Sequence, residues 1–189
     1  MGKVILGVTI SLDGFAEDGN GSVGALYPDL ETLDNTEVMK ESINSTGAVV
    51  MAWKEYAMAE DPDWVAGYEY QVPIFVFTDK APEKHPKETD KLTFTFVTDG
   101  IEEAVRQAKI VAKETDITII GSASTTQLCM RAGLAAELQV DIIPLFLHNG
   151  FRPFDDLGVR PIAIERIKAE ELPGGRIHIR FRLNTQNKG

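Results

Sequence analysis

Two kinds of hydrophobic run predict β-strands in this chain. Continuous apolar runs are typical of strands that are buried on both faces, and alternating runs are typical of strands that are buried on one face. The continuous runs lie at Val4–Ile10, Gly47–Met51, Pro73–Thr78 and Asp116–Ile120, and the alternating runs lie at Thr93–Thr98 and Glu137–Ile143.

Helical periodicity appears between these strands, so strands and helices alternate along the chain. In the clearest helix, apolar residues recur on one face. The predicted helices are Thr36–Ile43, Ile101–Glu114, and one that starts after Gly121-Ser122-Ala123 and ends at Gly133. Each carries a possible capping box: the pairs are Asp34 with Glu37, Asp99 with Glu102, and Ser124 with Gln127.

The C-terminal part of the chain predicts an antiparallel hairpin. Ile162–Ala169 and Arg176–Leu183 flank Pro173-Gly174-Gly175, a strong turn signal. One face of the second strand is apolar, and the other carries Arg176, His178, Arg180 and Arg182. These arginines form either an anion site or, as we favour, a solvated face that is paired with Glu165 and its neighbours.

The order of elements predicts an α/β fold in a single domain, residues 1–189. A mostly parallel central sheet would have helices on both faces and the antiparallel hairpin at one edge, which is a three-layer sandwich. Two long irregular stretches, Glu17–Leu33 and Met58–Val72, are typical of lids or binding loops.

Charge and composition narrow the classes of function. The formal net charge is −10, which argues against a nucleic-acid partner and means that an anionic cofactor needs a local positive site. The N-terminal apolar run is too short for a membrane span and lacks a cleavage site, so we expect a cytoplasmic protein without a membrane partner. Cys129 is the sole cysteine, which excludes an internal disulfide.

Ligands of open α/β sheets bind beyond the carboxyl ends of the strands. Three segments occupy such positions. In the first, Ser11–Phe15, Asp13 either positions a polar substrate or proton donor, or caps the backbone of an Asp-Gly turn. The turn is the simpler interpretation of the pattern.

The second segment runs from a strand through small residues into a helix N-terminus, where free N–H groups and the helix dipole suit a phosphate. An ordinary helix cap explains the pattern equally well. The residues are Gly121, Ser122, Ala123, Ser124, Thr125 and Thr126. Neither a Gly-x-Gly-x-x-Gly nor a Walker motif is present.

The third segment is Met51-Ala52-Trp53-Lys54, which follows another predicted strand. Lys54 could neutralise a phosphate and Trp53 could stack on a flat ring, or the segment is a strand-to-helix junction with one core aromatic. The remaining chemistry is weak: His85, His148 and His178 lack ligand spacing, so no metal is expected, and Cys129 lies inside a helix, where a buried thiol is expected.

These segments, together with several others, resemble the dihydrofolate-reductase-like family that contains the reductase domain of bacterial riboflavin biosynthesis. Taken singly the motifs are weak, but their order and spacing are specific. The matching residues are Ser11-Leu12-Asp13-Gly14-Phe15, Val49-Val50-Met51, Phe75-Val76-Phe77-Thr78, Gly121-Ser122-Ala123, Gly133–Leu138, and Pro144–Leu147 through Gly150 and Phe154.

The resemblance implies an enzyme that binds NADPH along the sheet edge and transfers hydride to a small heterocyclic or carbonyl-like substrate. By position, Gly121–Thr126 would hold the pyrophosphate, while Ala52–Lys54 and Thr78 would hold the adenosine end. Ser11–Ala16 would border the nicotinamide, with Asp13 as the candidate catalytic residue that supplies or orients a proton. The resemblance also implies a homodimer through the later strands.

Three departures from the family pattern change the expected chemistry. The phosphate turn of the family usually reads Gly-Arg or Gly-Lys, whereas this chain has Ala52-Trp53. Riboflavin reductases carry a glutamate where this chain has Ile120, and Ser122 replaces the second glycine of a pair. We therefore expect a reductase of another small molecule that uses NADPH or NADH. The alternatives are a non-catalytic ligand-binding or scaffold homologue and, more weakly, a dihydrofolate reductase.

Overall fold

A computed structural model describes residues 2–58, 64–83 and 86–184. The strands are β1 (Val4–Ser11), β2 (Thr46–Ala52), β3 (Ile74–Phe77), β4 (Phe94–Val97), β5 (Asp116–Gly121), β6 (Glu137–Ile143), β7 (Ile164–Glu171) and β8 (Ile177–Leu183). The α-helices are α1 (Leu30–Leu33), α2 (Glu37–Ser45), α3 (Trp53–Ala57), α4 (Gly100–Ala112) and α5 (Ala123–Ala132). Short 3-10 turns lie at Gly24–Leu26, Trp64–Gly67 and Pro173–Gly175.

The chain forms two compact units. The first comprises Met1–Val4 and Glu41–Ile120, and its strands are ordered β4-β3-β2-β5, all parallel. The strands are apolar, as expected for parallel strands that are buried by packing, and α4 packs on β2 and β3. Ala52 is the register partner of Phe77, so the segments that follow β2 and β3 begin side by side.

The second unit comprises Ile5–Lys40 and Gly121–Gly189. Here β1 and β6 are parallel neighbours, and β8 and then β7 continue from β6 in antiparallel pairing. The predicted α/β class, with mostly parallel strands and a C-terminal antiparallel hairpin, is confirmed.

The helix starts differ from the predicted capping boxes. Ser122, not Ser124, is the N-cap of α5, and its hydroxyl accepts the Thr125 N–H. Thr36, not Asp34, caps α2, because its hydroxyl accepts the Met39 N–H. Asp99 does stand at the N-cap of α4, but its side chain makes no cap hydrogen bond. The end of α5 agrees with the prediction, since Gly133 is left-handed at φ 63°.

The start of the second hairpin strand is exposed in the opposite sense to our expectation. Arg176, directly before β8, and His178 on the polar face of β8 are buried, whereas Ile177 on the apolar face is exposed. The solvated-face interpretation fits Arg182, near the end of β8, which is exposed and donates to Glu165 at 2.8 Å. The interpretation was wrong for Arg176 and His178 because acidic residues of β6 and of the loop before α1 cover them.

Candidate active site

Asp13 lies directly after β1 and ties two loops of the second unit together. Its Oδ1 accepts the Ser11 hydroxyl at 2.6 Å and the Leu147 N–H at 3.1 Å, and its Oδ2 accepts the His148 N–H at 2.8 Å. Desolvation raises the pKa of Asp13, but these hydrogen bonds outweigh it and lower that pKa to about 2. An ionised Asp13 can accept and orient a hydrogen bond at neutral pH, but it holds no proton to supply.

The strand-to-helix turn that precedes α5 is tight at Gly121. A Cβ at this position would lie 2.6 Å from the Gly7 carbonyl oxygen and 2.6 Å from Thr126 Oγ1, so glycine is required for close approach. Ser122 is buried, Ser124 is exposed, and their hydroxyls are 3.3 Å apart. The turn thus presents small residues and hydroxyls at the positive end of a helix of 10 residues.

Glu17 lies at the same helix end, although the sequence did not single it out. Its side chain is buried, with 1% of the residue surface exposed, and Oε1 accepts the Ala123 N–H at 2.9 Å. A bridge to Phe151 fixes its backbone, with the Phe151 N–H donating to the Glu17 carbonyl at 3.0 Å. Ala123 is the first residue of α5, so a carboxylate of the protein already occupies the first N–H of the helix.

The structure therefore brings one predicted segment together with residues that the sequence did not predict. Thr125 N–H is satisfied by Ser122, and Ala123 N–H is satisfied by Glu17. Within the described part of the chain, the buried hydroxyl of Thr126 has no hydrogen-bond partner. Anion-binding capacity at this turn depends on which of these donors a ligand can reach.

The other predicted segments belong to the first unit. Trp53 starts α3 and is 39% exposed, with its ring 5.1 Å from the Tyr56 ring and 6.2 Å from the Phe96 ring. It therefore belongs to an aromatic cluster rather than being a lone core residue. Ala52 N–H donates to Glu55 Oε2 at 3.0 Å, and Lys54 is exposed.

Thr78 follows β3, and its hydroxyl closes a local turn. It donates to the Lys80 carbonyl at 3.0 Å and accepts the Lys80 N–H at 3.4 Å. Because β2 and β3 are parallel neighbours, Trp53 and Thr78 follow adjacent strand ends. This is the arrangement expected if both contact one ligand end.

A buried ionic network, which the sequence did not reveal, links β6, β8 and the loop before α1. The fully buried Arg176 donates to Asp29 through Nε at 3.1 Å and Nη2 at 2.7 Å, and through Nη1 to Asp141 at 3.2 Å. His178 Nδ1 is 2.6 Å from Asp141 Oδ1. The hydrogen bond from Arg176 is the main cause that lowers the pKa of Asp29. The network holds the loop before α1 on the β6–β8 pair.

Cys129 lies in α5 with none of its surface exposed. Burial raises the pKa of its thiol to about 12, so the native thiol is unreactive, as predicted. His85 lies outside the described residues. Elsewhere, the described side chains form no group of three or more potential metal ligands. Among the helices of the described ranges, none has the length and apolar character that a membrane span requires.

Solved structures with this fold come from several bacteria. A protein of Shewanella sp. PV-4 that is assigned to riboflavin biosynthesis is 19% identical, with a TM-score of 0.74, over 96% of this chain and 98% of its own. A pyrimidine reductase-like protein of Corynebacterium diphtheriae is 12% identical, with a TM-score of 0.61, over 96% and 92%.

A two-activity enzyme also matches. It is the diaminohydroxyphosphoribosylaminopyrimidine deaminase/5-amino-6-(5-phosphoribosylamino)uracil reductase of Thermotoga maritima, 13% identical with a TM-score of 0.65, over 96% of this chain and 56% of its own. At these identities the likeness establishes the fold. No curated protein sequence matches the chain. The family model of the RibD C-terminal domain matches residues 2–177, and the chain therefore belongs to the RibD C-terminal domain family.

Proposed function

We propose that this protein is an NAD(P)H-dependent reductase of a small heterocyclic or carbonyl-like molecule. The reductase domains of its family use NADPH. The observation that supports the proposal most directly is the turn at Gly121, where only glycine permits the close approach of backbone and where hydroxyls surround the N-terminus of α5. Such a turn suits the pyrophosphate of a dinucleotide.

In this proposal Gly121, Ser122, Ala123, Ser124, Thr125 and Thr126 hold the pyrophosphate, and Ala52, Trp53, Lys54 and Thr78 hold the adenosine end. The exposed part of Trp53 would stack on adenine. When bound, the cofactor supplies the hydride. Asp13 would orient a polar group of the substrate or an ordered water, because an ionised carboxylate accepts hydrogen bonds. The proton itself must come from another donor.

The substrate is proposed to differ from that of the riboflavin reductases. Ile120 stands where those enzymes carry a glutamate, and an isoleucine offers no polar contact to an aminopyrimidine. A second candidate function is a non-catalytic ligand-binding or scaffold protein of the same fold. It is favoured by Ala52-Trp53 in place of the phosphate-binding arginine and by the Glu17 carboxylate at α5.

A titration with NADPH and NADH, followed by tryptophan fluorescence, tests the proposal. The chain has two tryptophans, and both belong to the aromatic cluster. Trp64→Phe leaves Trp53 as the reporter, whereas Trp53→Phe leaves Trp64 as the matched control. We expect saturable quenching of Trp53 emission, with little change for Trp64. If calorimetry confirms that neither cofactor binds, the proposed reductase function is refuted and the non-catalytic ligand-binding or scaffold function is favoured.

The hairpin is the proposed interface of a homodimer. The strands of the hairpin expose the apolar side chains of Ile164, Ile167 and Ile177 at separate places along their length, and exposed apolar side chains on a sheet edge favour association with a second copy. Sedimentation at micromolar concentration should give twice the chain mass of 20.8 kDa. Ile167→Asp should return the protein to the monomer, and a wild type that sediments only as a monomer would contradict the proposal.

A further inference from the structure

The Glu17 carboxylate lies where an anion would bind to α5. Its Oε1 accepts the N–H of Ala123, the first residue of the helix, at 2.9 Å. The positive end of the helix dipole stabilises a negative charge at this position. The carboxylate and the phosphate of a ligand would therefore use the same donor and the same dipole.

The backbone holds this carboxylate in place. Phe151 N–H donates to the Glu17 carbonyl, and Ala16 N–H donates to the Phe151 carbonyl at 2.9 Å. Gly150 has φ +139°, and a Cβ there would lie 1.9 Å from the Glu17 carbonyl oxygen. The close backbone approach at Gly150 thus fixes the chain from which the Glu17 side chain reaches α5.

A second observation at the same turn points to a ligand. Thr126 is fully buried, and its Oγ1 has no hydrogen-bond partner among the described residues. This hydroxyl lies 2.6 Å from the position that a Cβ of Gly121 would take, so it is directed at the strand-to-helix turn. A buried hydroxyl without a partner is unfavourable, and a phosphate oxygen would satisfy it.

We propose that Glu17 is an internal anion that sets the affinity of this turn for phosphate-bearing ligands. Its carboxylate must leave the Ala123 N–H before a pyrophosphate group can bind there, and the like charges repel if it remains close. The biological meaning of this inference rests on the proposed NAD(P)H-dependent function. The competition between the Glu17 carboxylate and a phosphate group does not, because it can be measured with any phosphate-bearing ligand of this turn. Loss of the Glu17 charge therefore strengthens the binding of anions.

The test compares Glu17→Gln with wild type. A glutamine Oε1 can still accept the Ala123 N–H, so the variant removes the charge and keeps the hydrogen bond. Asp18→Asn is the matched control, because it removes the same charge from the neighbouring residue, whose side chain caps a loop turn through Asn20 and Ser22. Thermal unfolding of both variants shows whether they remain folded.

Calorimetric titration with inorganic pyrophosphate and with NADPH gives the result. We expect Glu17→Gln to bind pyrophosphate about 10-fold more tightly than wild type, because the charge-assisted hydrogen bond of the carboxylate is about twice as strong as the neutral one that glutamine keeps, and Asp18→Asn to stay within about threefold. Equal or weaker pyrophosphate binding by Glu17→Gln, or an equal gain in the control, overturns the role of Glu17.

The two proposals fail in different ways. If Glu17→Gln binds pyrophosphate more tightly and neither protein binds NADPH, the Glu17 proposal stands and the reductase proposal fails. If wild type and Glu17→Gln bind NADPH equally well, the reductase proposal stands and the Glu17 proposal fails. Should Glu17→Gln not fold, the amide NMR signal of Ala123 in wild type decides: it must shift at saturating pyrophosphate, because its acceptor changes, and an unchanged signal overturns the proposal.

Discussion

Replacing Arg176 by methionine should destabilise the protein strongly. The guanidinium is fully buried and makes two hydrogen bonds to Asp29, one to Asp141 and one to the Leu26 carbonyl. Methionine fills similar space without charge, so it leaves the Asp29 carboxylate, which is 16% exposed, without its main partner. Breaking a buried ion pair by removing one partner costs about 3–5 kcal/mol, against a typical total stability of about 5–15 kcal/mol.

Urea unfolding of matched variants measures this effect. Arg182→Met is the control, because it makes the same substitution on the same strand in an exposed pair, with Arg182 54% and Glu165 59% exposed. Such a pair contributes about 0–1 kcal/mol. The double variant Arg176→Met with Asp29→Asn should be more stable than Arg176→Met alone, since the stranded charge is removed.

The same network predicts a dependence of stability on pH. Arg176 lowers the pKa of Asp29 in the folded protein. The ionised Asp29 therefore stabilises the fold above its unfolded pKa of about 3.9, and this stabilisation is lost as the pH falls through the folded pKa. Arg176→Met should lack this part of the acid dependence.

If urea unfolding shows that Arg176→Met costs less than about 1 kcal/mol of stability, as Arg182→Met does, the reasoning that the buried network holds the loop before α1 is refuted.

Three smaller experiments concern the loop after β1, the Glu17 bridge and the cofactor end. In wild type, the folded Asp13 pKa of about 2 lies below the ordinary 3.8, so the stabilisation from the ionised carboxylate is lost as the pH falls from about 4 to about 2. Asp13→Asn should lack this loss, so its urea midpoint should change less than that of wild type between about pH 4 and about pH 2. Equal changes of the urea midpoint in the two proteins would contradict this. Gly150→Ala should lower the melting temperature, because its Cβ would collide with the Glu17 carbonyl oxygen, and a melting curve like that of wild type would argue against the close approach. Ala52→Gly with Trp53→Arg should strengthen NADPH binding about 10- to 150-fold with NADH binding unchanged, since arginine pairs with the 2′-phosphate. Calorimetry that shows tight wild-type NADPH binding with rejection of NADH would mean that another cation already fills the role, and no gain in a protein without that preference would contradict the prediction.

Local patterns were sufficient for most of the fold. The alternation of Leu138, Val140 and Ile142 within Glu137–Ile143 predicted β6 with its observed bounds, because side chains at every second position of a strand share one face. Gly133 marked the end of α5, since a left-handed C-cap favours glycine. The hairpin followed from Pro173-Gly174-Gly175, although β7 is shifted by two residues from its predicted bounds and β8 begins one residue later than predicted.

The features that failed depend on distant contacts. Capping boxes were placed two residues away from the true caps of α2 and α5, because several Ser, Thr and Asp residues stand near each helix start and only geometry selects one. Arg176 looked like a surface cation, since nothing local shows that Asp29 and Asp141 surround it. Glu17 stands in a polar loop, and its contact with Ala123 spans 106 residues of sequence.

The buried position of Cys129 makes this helix measurable without any knowledge of the substrate. Cys129 is the single cysteine of the chain and is inaccessible in α5, so a thiol reagent can label it only when the surrounding structure opens. When opening and closing are fast, the labelling rate reports the free energy of that opening. A ligand that binds the closed form slows labelling by the factor 1 + [L]/Kd. One alkylation time course therefore serves as a screen for ligands of unknown identity.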